Sequence, residues 1–105
     1  MEKVDVSGVI DELYAVLLAR KQDAPPGSYT AELLAAGEDE IVKKIGEEAV
    51  EVILAAKGQG DERLVAETAD LVYHLLVLLA ARDLSWNDVL RELASRRKRY
   101  KGDRK

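Results

Sequence analysis

Residues 64–81 (LVAETADLVYHLLVLLAA) read as a helix that is apolar almost all the way round. Such a rod has to be covered on nearly every side, so the rest of the chain must be arranged about it. Its polar exceptions, Glu67, Asp70 and His74, follow i, i+3, i+7 and project from a single side. An ordinary solvated face would be wider and would mix both signs of charge.

The segment Gly58-Gln59-Gly60 marks a reversal just before this rod, and the helix expected before it, residues 40–57, carries Glu48 and Glu51 at the same i, i+3 spacing. Position 59 is the midpoint of both 51/67 and 48/70. A helical hairpin turning there sets Glu51 opposite Glu67 and Glu48 opposite Asp70, the nearer pair roughly 12 Å from the bend at 1.5 Å rise per residue. Apposed carboxylates repel, and burying them unpaired is costly or forces protonation. A divalent cation removes that conflict. Taken alone, Lys43, Lys44, Glu47, Glu48 and Glu51 would read as the wet side of an amphipathic helix. The second acid pair, on a buried rod, favours a metal site.

No segment alternates with period two, so the expected fold is all-α: five helices forming a bundle completed by dimerisation. Val9, Leu13, Val16 and Leu17 give a first amphipathic helix over 9–20, ended by Ala24-Pro25-Pro26-Gly27. Ser28 and Thr30 are both candidate N-caps for a short helix reaching residue 36, with Gly37 as its stop. Glu38, Asp39 and Glu40 suit the positive end of the third helix, and Asp61 is a candidate cap for the fourth. Ser85 and Asp88 match a capping box that starts a fifth helix over 86–97. Leu71, Val72, Leu75, Leu76, Leu78 and Leu79 encircle most of the fourth helix, more apolar surface than helices 1 and 5 cover. A homodimer is therefore expected.

Composition narrows the function classes. Cysteine is absent from the 105 residues, which excludes a disulfide framework and a thiolate zinc site and leaves the cytosol as the expected compartment. No targeting motif is visible, and the longest uninterrupted apolar run, residues 75–81, falls short of the ~20 residues that span a bilayer. Neither a membrane nor a nucleic acid is an expected partner. Residues 96–105 hold 7 of the 16 Lys and Arg and only one of the 20 acids, so an acidic domain over 1–95 is followed by a basic tail. An acidic body argues against binding a phosphate backbone, and a solvated, frayed end is the simpler reading of the tail.

Hard carboxylate oxygens with a single His suit Mg²⁺, or Mn²⁺, better than Zn²⁺. Cationic Lys43 and Lys44 beside such a box suggest a phosphorylated substrate, although each also has an i, i+4 acid, Glu47 and Glu48 respectively.

The stretch GSYTAELLAAGEDEIVKKIGEEAVEVILAAK, followed by ETADLVYHLLVLLAARDLSWNDVL, resembles the phosphoribosyl-ATP pyrophosphohydrolase family over residues 9–93. More distantly, E-x-x-E followed by E-x-x-D is similar to the MazG-type all-α nucleotide pyrophosphohydrolases. The resemblance implies a Mg²⁺-dependent dimeric enzyme of histidine biosynthesis, with a small-molecule nucleotide as substrate. It implies Glu48, Glu51, Glu67 and Asp70 as metal ligands, Glu47 or Glu48 as base, and Lys43 and Lys44 as phosphate holders. Ser28, Tyr29, Thr30 and His74 would face the substrate. The zinc-using cyclohydrolase activity fused to many members is not expected here, because the chain has no Cys. Three alternatives stand beside this reading: a house-cleaning pyrophosphohydrolase of free NTPs, a di-iron carboxylate bundle, and a non-catalytic helical interaction module. The di-iron site needs E-x-x-H on two helices, whereas the one His here follows Asp70 at i+4.

Overall fold

The computed structural model describes residues 4–102, and the end of the basic tail, 103–105, lies outside the described residues. Six helices and no strand make up the described chain: α1 (Val9–Gln22), α2 (Tyr29–Ala36), α3 (Glu38–Gly58), α4 (Asp61–Ala81), α5 (Trp86–Ser95) and α6 (Arg97–Lys101). The first five match the expected helices, with α3 starting two residues earlier. The sixth is a short helix within the basic tail, where frayed chain was expected.

Local chemistry explains most of the boundaries. Ser28, not Thr30, caps α2, its hydroxyl accepting from the Ala31 N–H at 3.1 Å. Thr30 is thereby free to bond elsewhere. Gly37, at φ 101°, ends α2 and starts α3, a backbone conformation that side chains with a Cβ rarely adopt. Gly60 (φ 89°) plays the same part before α4. Asp61 therefore does not cap α4 as expected: it is the first helical residue, where with Glu62 it places negative charge on the helix's positive end. The Ser85–Asp88 capping box is present in both directions.

The α3–α4 hairpin is the spine, with α1 packed on α4 and α2 on both α1 and α3. Leu17, Leu33, Ile41, Leu76, Val77 and Ala80 form the core, so burial is concentrated on the C-terminal half of α4. Toward the hairpin turn the cover is missing: Val50 is 52% exposed, Ile53 59%, Leu54 48% and Val65 69%. The radius of gyration of 15.8 Å exceeds the ~13 Å of a compact domain near 100 residues, as a hairpin extending past its cover requires. By length and hydropathy α4 would pass for a membrane-crossing helix, a resemblance that counting uninterrupted apolar residues misses. Packing against α1, α2 and α3 covers part of that apolar surface, mainly at its C-terminal half.

Candidate active site

Antiparallel packing of α3 on α4 turns carboxylates from both helices toward one another. One oxygen each from Glu48, Glu67 and Asp70 lies within 4.8 Å of the other two. Glu67 is only 6% exposed, Glu48 is half-buried and Asp70 is exposed, so the group runs from the interior to the surface. Burial pushes the Glu48 carboxyl above its usual value, and the negative charges of Asp70, Glu67 and Glu51 push it further. This is the conflict that apposed acids create when no cation balances them.

Glu51 is half-buried one turn along α3 and adds to the charge acting on Glu48, yet it lies outside the three-acid group. Glu48 meets both acids of α4, its mirror partner Asp70 and Glu67. A fourth carboxylate brought to the same distance would add further repulsion. Among the described residues only Glu67 of the three has a direct counter-charge: the Arg63 guanidinium, one turn earlier on α4, bonds its Oε1.

Behind the acids lies a hydrogen-bonded aromatic layer joining α2 to α4. His74, 6% exposed, turns Nδ1 to the Asp70 carbonyl oxygen at 2.8 Å and Nε2 to the Tyr29 hydroxyl at 3.1 Å. Thr30 and Tyr73 join hydroxyls, and the Tyr73 ring meets His74 edge-on at a centroid distance of 5.0 Å. Burial raises the Tyr29 phenol, with Lys44 opposing, which places that lysine near the α2 terminus. Lys44 pairs with Glu47 at 3.4 Å rather than with Glu48, while Lys43 is exposed and forms no ion pair among the described residues. The Glu47 hydrogen bond and charge hold the Lys44 ammonium above the usual lysine value. Glu47 itself, its side chain half exposed, stands outside the three-acid group. Ser28 spends its hydroxyl on the α2 cap.

Arg63 and Tyr73 did not emerge from the sequence. Arg63 does stand at i−4 from Glu67, a spacing that signals a helical ion pair. Tyr73 gave no such signal, because its partner Thr30 comes from another helix. The donor set is all hard oxygen, converges within ligand distance and carries a charge excess that disfavours ionised Glu48. These residues fit a hard divalent cation. A groove at the α4–α5 junction, with Leu79, Leu84, Val89 and Leu93 as its apolar lining and Asp88, Glu92 and Arg96 at its polar side, includes none of Glu48, Glu67 and Asp70.

An all-α bundle whose central hairpin brings carboxylates of both arms together defines a MazG-like helical protein. The family model of phosphoribosyl-ATP pyrophosphohydrolase matches residues 10–97, and the chain belongs to that family. It is 60% identical over 91 residues to the phosphoribosyl-ATP pyrophosphatase of Pelotomaculum thermopropionicum, covering 87% of this chain and 93% of the relative. Identity to the protein of that name from Trichlorobacter lovleyi is 57%, covering 84% of this chain and 82% of the relative. The counterpart from Saccharolobus solfataricus is 47% identical, over 86% of this chain and 96% of its own.

Proposed function

We propose that this chain hydrolyses the α–β phosphoanhydride of phosphoribosyl-ATP to phosphoribosyl-AMP and pyrophosphate, the second step of histidine biosynthesis, in the cytosol. The observation that carries the reading is the convergence of Glu48, Glu67 and Asp70 in a chain of this family. These three, with Glu51 one turn away, would hold Mg²⁺ or Mn²⁺. Such an ion neutralises charge on phosphate oxygens and lowers the pKa of an attacking water.

The remaining chemistry belongs to the side chains. Water oxygen bonds to phosphorus, the bridging P–O bond breaks, and a carboxylate takes the proton. Glu47, beside Lys44, and Glu48, within the acid group, are the candidate bases. Lys44, with Lys43 on the adjoining surface, offers positive charge to the departing pyrophosphate. Tyr29 and Thr30, held by His74 and Tyr73, shape the side facing the nucleotide.

The uncovered Val50, Ile53, Leu54 and Val65 support a second copy of the chain packed along the hairpin. Ile53→Asp is then expected to shift the protein from dimer to monomer in analytical ultracentrifugation. The decisive assay is incubation with phosphoribosyl-ATP and Mg²⁺, following phosphoribosyl-AMP and pyrophosphate. Faster release of pyrophosphate from free NTPs than from phosphoribosyl-ATP would replace this reading with a house-cleaning one. Glu51→Gln and Asp70→Asn should each lower turnover by about 100-fold or more while leaving the helical circular dichroism intact.

A further inference from the structure

We propose that Arg63 is a built-in counter-cation, one that competes with the divalent ion for Glu67 and so sets how tightly the acids hold it. The inference rests on the reading of Glu48, Glu67 and Asp70 as a metal site, and it adds a residue outside the ligand set.

Six ion pairs join side chains of the described residues, and only Arg63–Glu67 touches a member of the three-acid group. The partners differ sharply in freedom: the Arg63 side chain is 56% exposed, that of Glu67 only 7%. Glu67 is fixed within the hairpin, whereas the guanidinium sits on a flexible stem at the water boundary. Releasing it to solvent costs little, because a half-exposed guanidinium regains its hydration.

A divalent ion taking Glu67 must either displace the guanidinium from the carboxylate or sit beside its positive charge. Both weaken binding. In the other direction, Arg63 supplies the one direct positive contact to a buried carboxylate that faces two more acids. The hairpin can then fold before it is loaded, and it fills only where the ion is plentiful.

The sign of the effect separates this role from plain structural support. If Arg63 merely propped up Glu67, its loss would loosen the ligand set and weaken metal binding. If it competes, its loss tightens binding and lowers the stability of the metal-free protein. Calorimetric titration of the full chain with Mg²⁺ and with Mn²⁺ tests this, using Arg63→Ala and Arg63→Gln beside the unaltered protein. Gln keeps a polar helical side chain without the charge.

Both variants should bind about three- to tenfold more tightly than the unaltered chain. Their metal-free melting temperatures should fall, and the rise on adding Mg²⁺ should exceed that of the unaltered chain. Unchanged or weaker affinity in both variants, with normal binding by the unaltered chain, overturns the role of Arg63 and leaves the metal site standing. Failure of the unaltered chain to bind either ion overturns both.

Discussion

Tyr29 and His74 lock α2 onto α4: the phenolic oxygen lies 3.1 Å from Nε2, while Nδ1 of the same ring lies 2.8 Å from the Asp70 carbonyl oxygen. A carbonyl only accepts, so in the neutral imidazole Nδ1 carries the hydrogen and Nε2 accepts from Tyr29. A buried histidine of α4 thereby ties α2 to the backbone of Asp70, one of the three converging acids. Tyr29→Phe keeps the ring and removes the hydroxyl. We expect a loss of about 1 kcal/mol in stability, read by urea denaturation, and faster amide exchange in α2 than in α5. Equal protection of α2 in both proteins would show that the bond does not hold the helix.

Glu48 presents a conflict between stability and function. Its folded-state pKa is raised above the ordinary 4.5 by burial and by Asp70, Glu67 and Glu51, so its charged form opposes folding. Glu48→Gln should therefore stabilise the metal-free protein, by roughly 0.5–1 kcal/mol near neutral pH. The gain should vanish below pH 4.5, where the carboxyl is protonated in folded and unfolded chains alike. The same variant should lose both turnover and the rise in melting temperature on adding Mg²⁺. Thermal melts at two pH values, with and without Mg²⁺, check all three, and a destabilised metal-free variant would contradict the charge argument.

What the sequence made legible was local. Glu67, Asp70 and His74 share a face because helical spacing dictates it, and Ser85 with Asp88 forms its box within one turn. The fold class followed from the apolar α4 and the reversal at residues 58–60. Legibility ended where geometry depends on how helices rotate against each other. Equal spacing about residue 59 placed Glu48 opposite Asp70, but the rotation of α3 against α4 also brings Glu48 to Glu67, which the spacing did not show. Lys44 chose Glu47 over Glu48 because i+3 and i+4 neighbours compete on nearly equal terms. The bond between Tyr29 and His74 spans 45 positions and left no periodic trace.

The C-terminal end of α4 has no basic residue in its own last turn, and Lys21 of α1 supplies the missing charge. Its ammonium donates to the Ala80 carbonyl at 3.0 Å, to that of Ala81 at 3.2 Å and to Asp83 Oδ1 at 2.8 Å. The cap is a Schellman turn, Leu84 N–H to Leu79 O at 2.8 Å, with Asp83 at φ 58° in the place glycine usually takes. Lys21→Met keeps the aliphatic stem and deletes the donor. We expect a loss of about 1–2 kcal/mol, with Lys21→Arg recovering part of it. Unaltered denaturation midpoints would mean that water satisfies these carbonyls equally well.

Asp88 gives a pH dependence of opposite sign to that of Glu48. The Ser85 N–H, bonded to its Oδ2 at 2.8 Å, holds the carboxyl below the ordinary 3.8, and Arg91 lowers it further. A depressed folded-state pKa means that the contribution is present in full above pH 3.8 and is lost as pH falls through the folded value. Asp88→Asn should thus be less stable than the unaltered protein at neutral pH, and the two should converge in strong acid. Ser85→Ala breaks the other half of the box, at a cost of about 1 kcal/mol. The single tryptophan, Trp86, is the first residue of α5 and half-buried, so its fluorescence reports the release of this helix directly. A gap between Asp88→Asn and the unaltered chain that widens on acidification would reverse the sign of the argument and assign the helix start to packing of Trp86 alone.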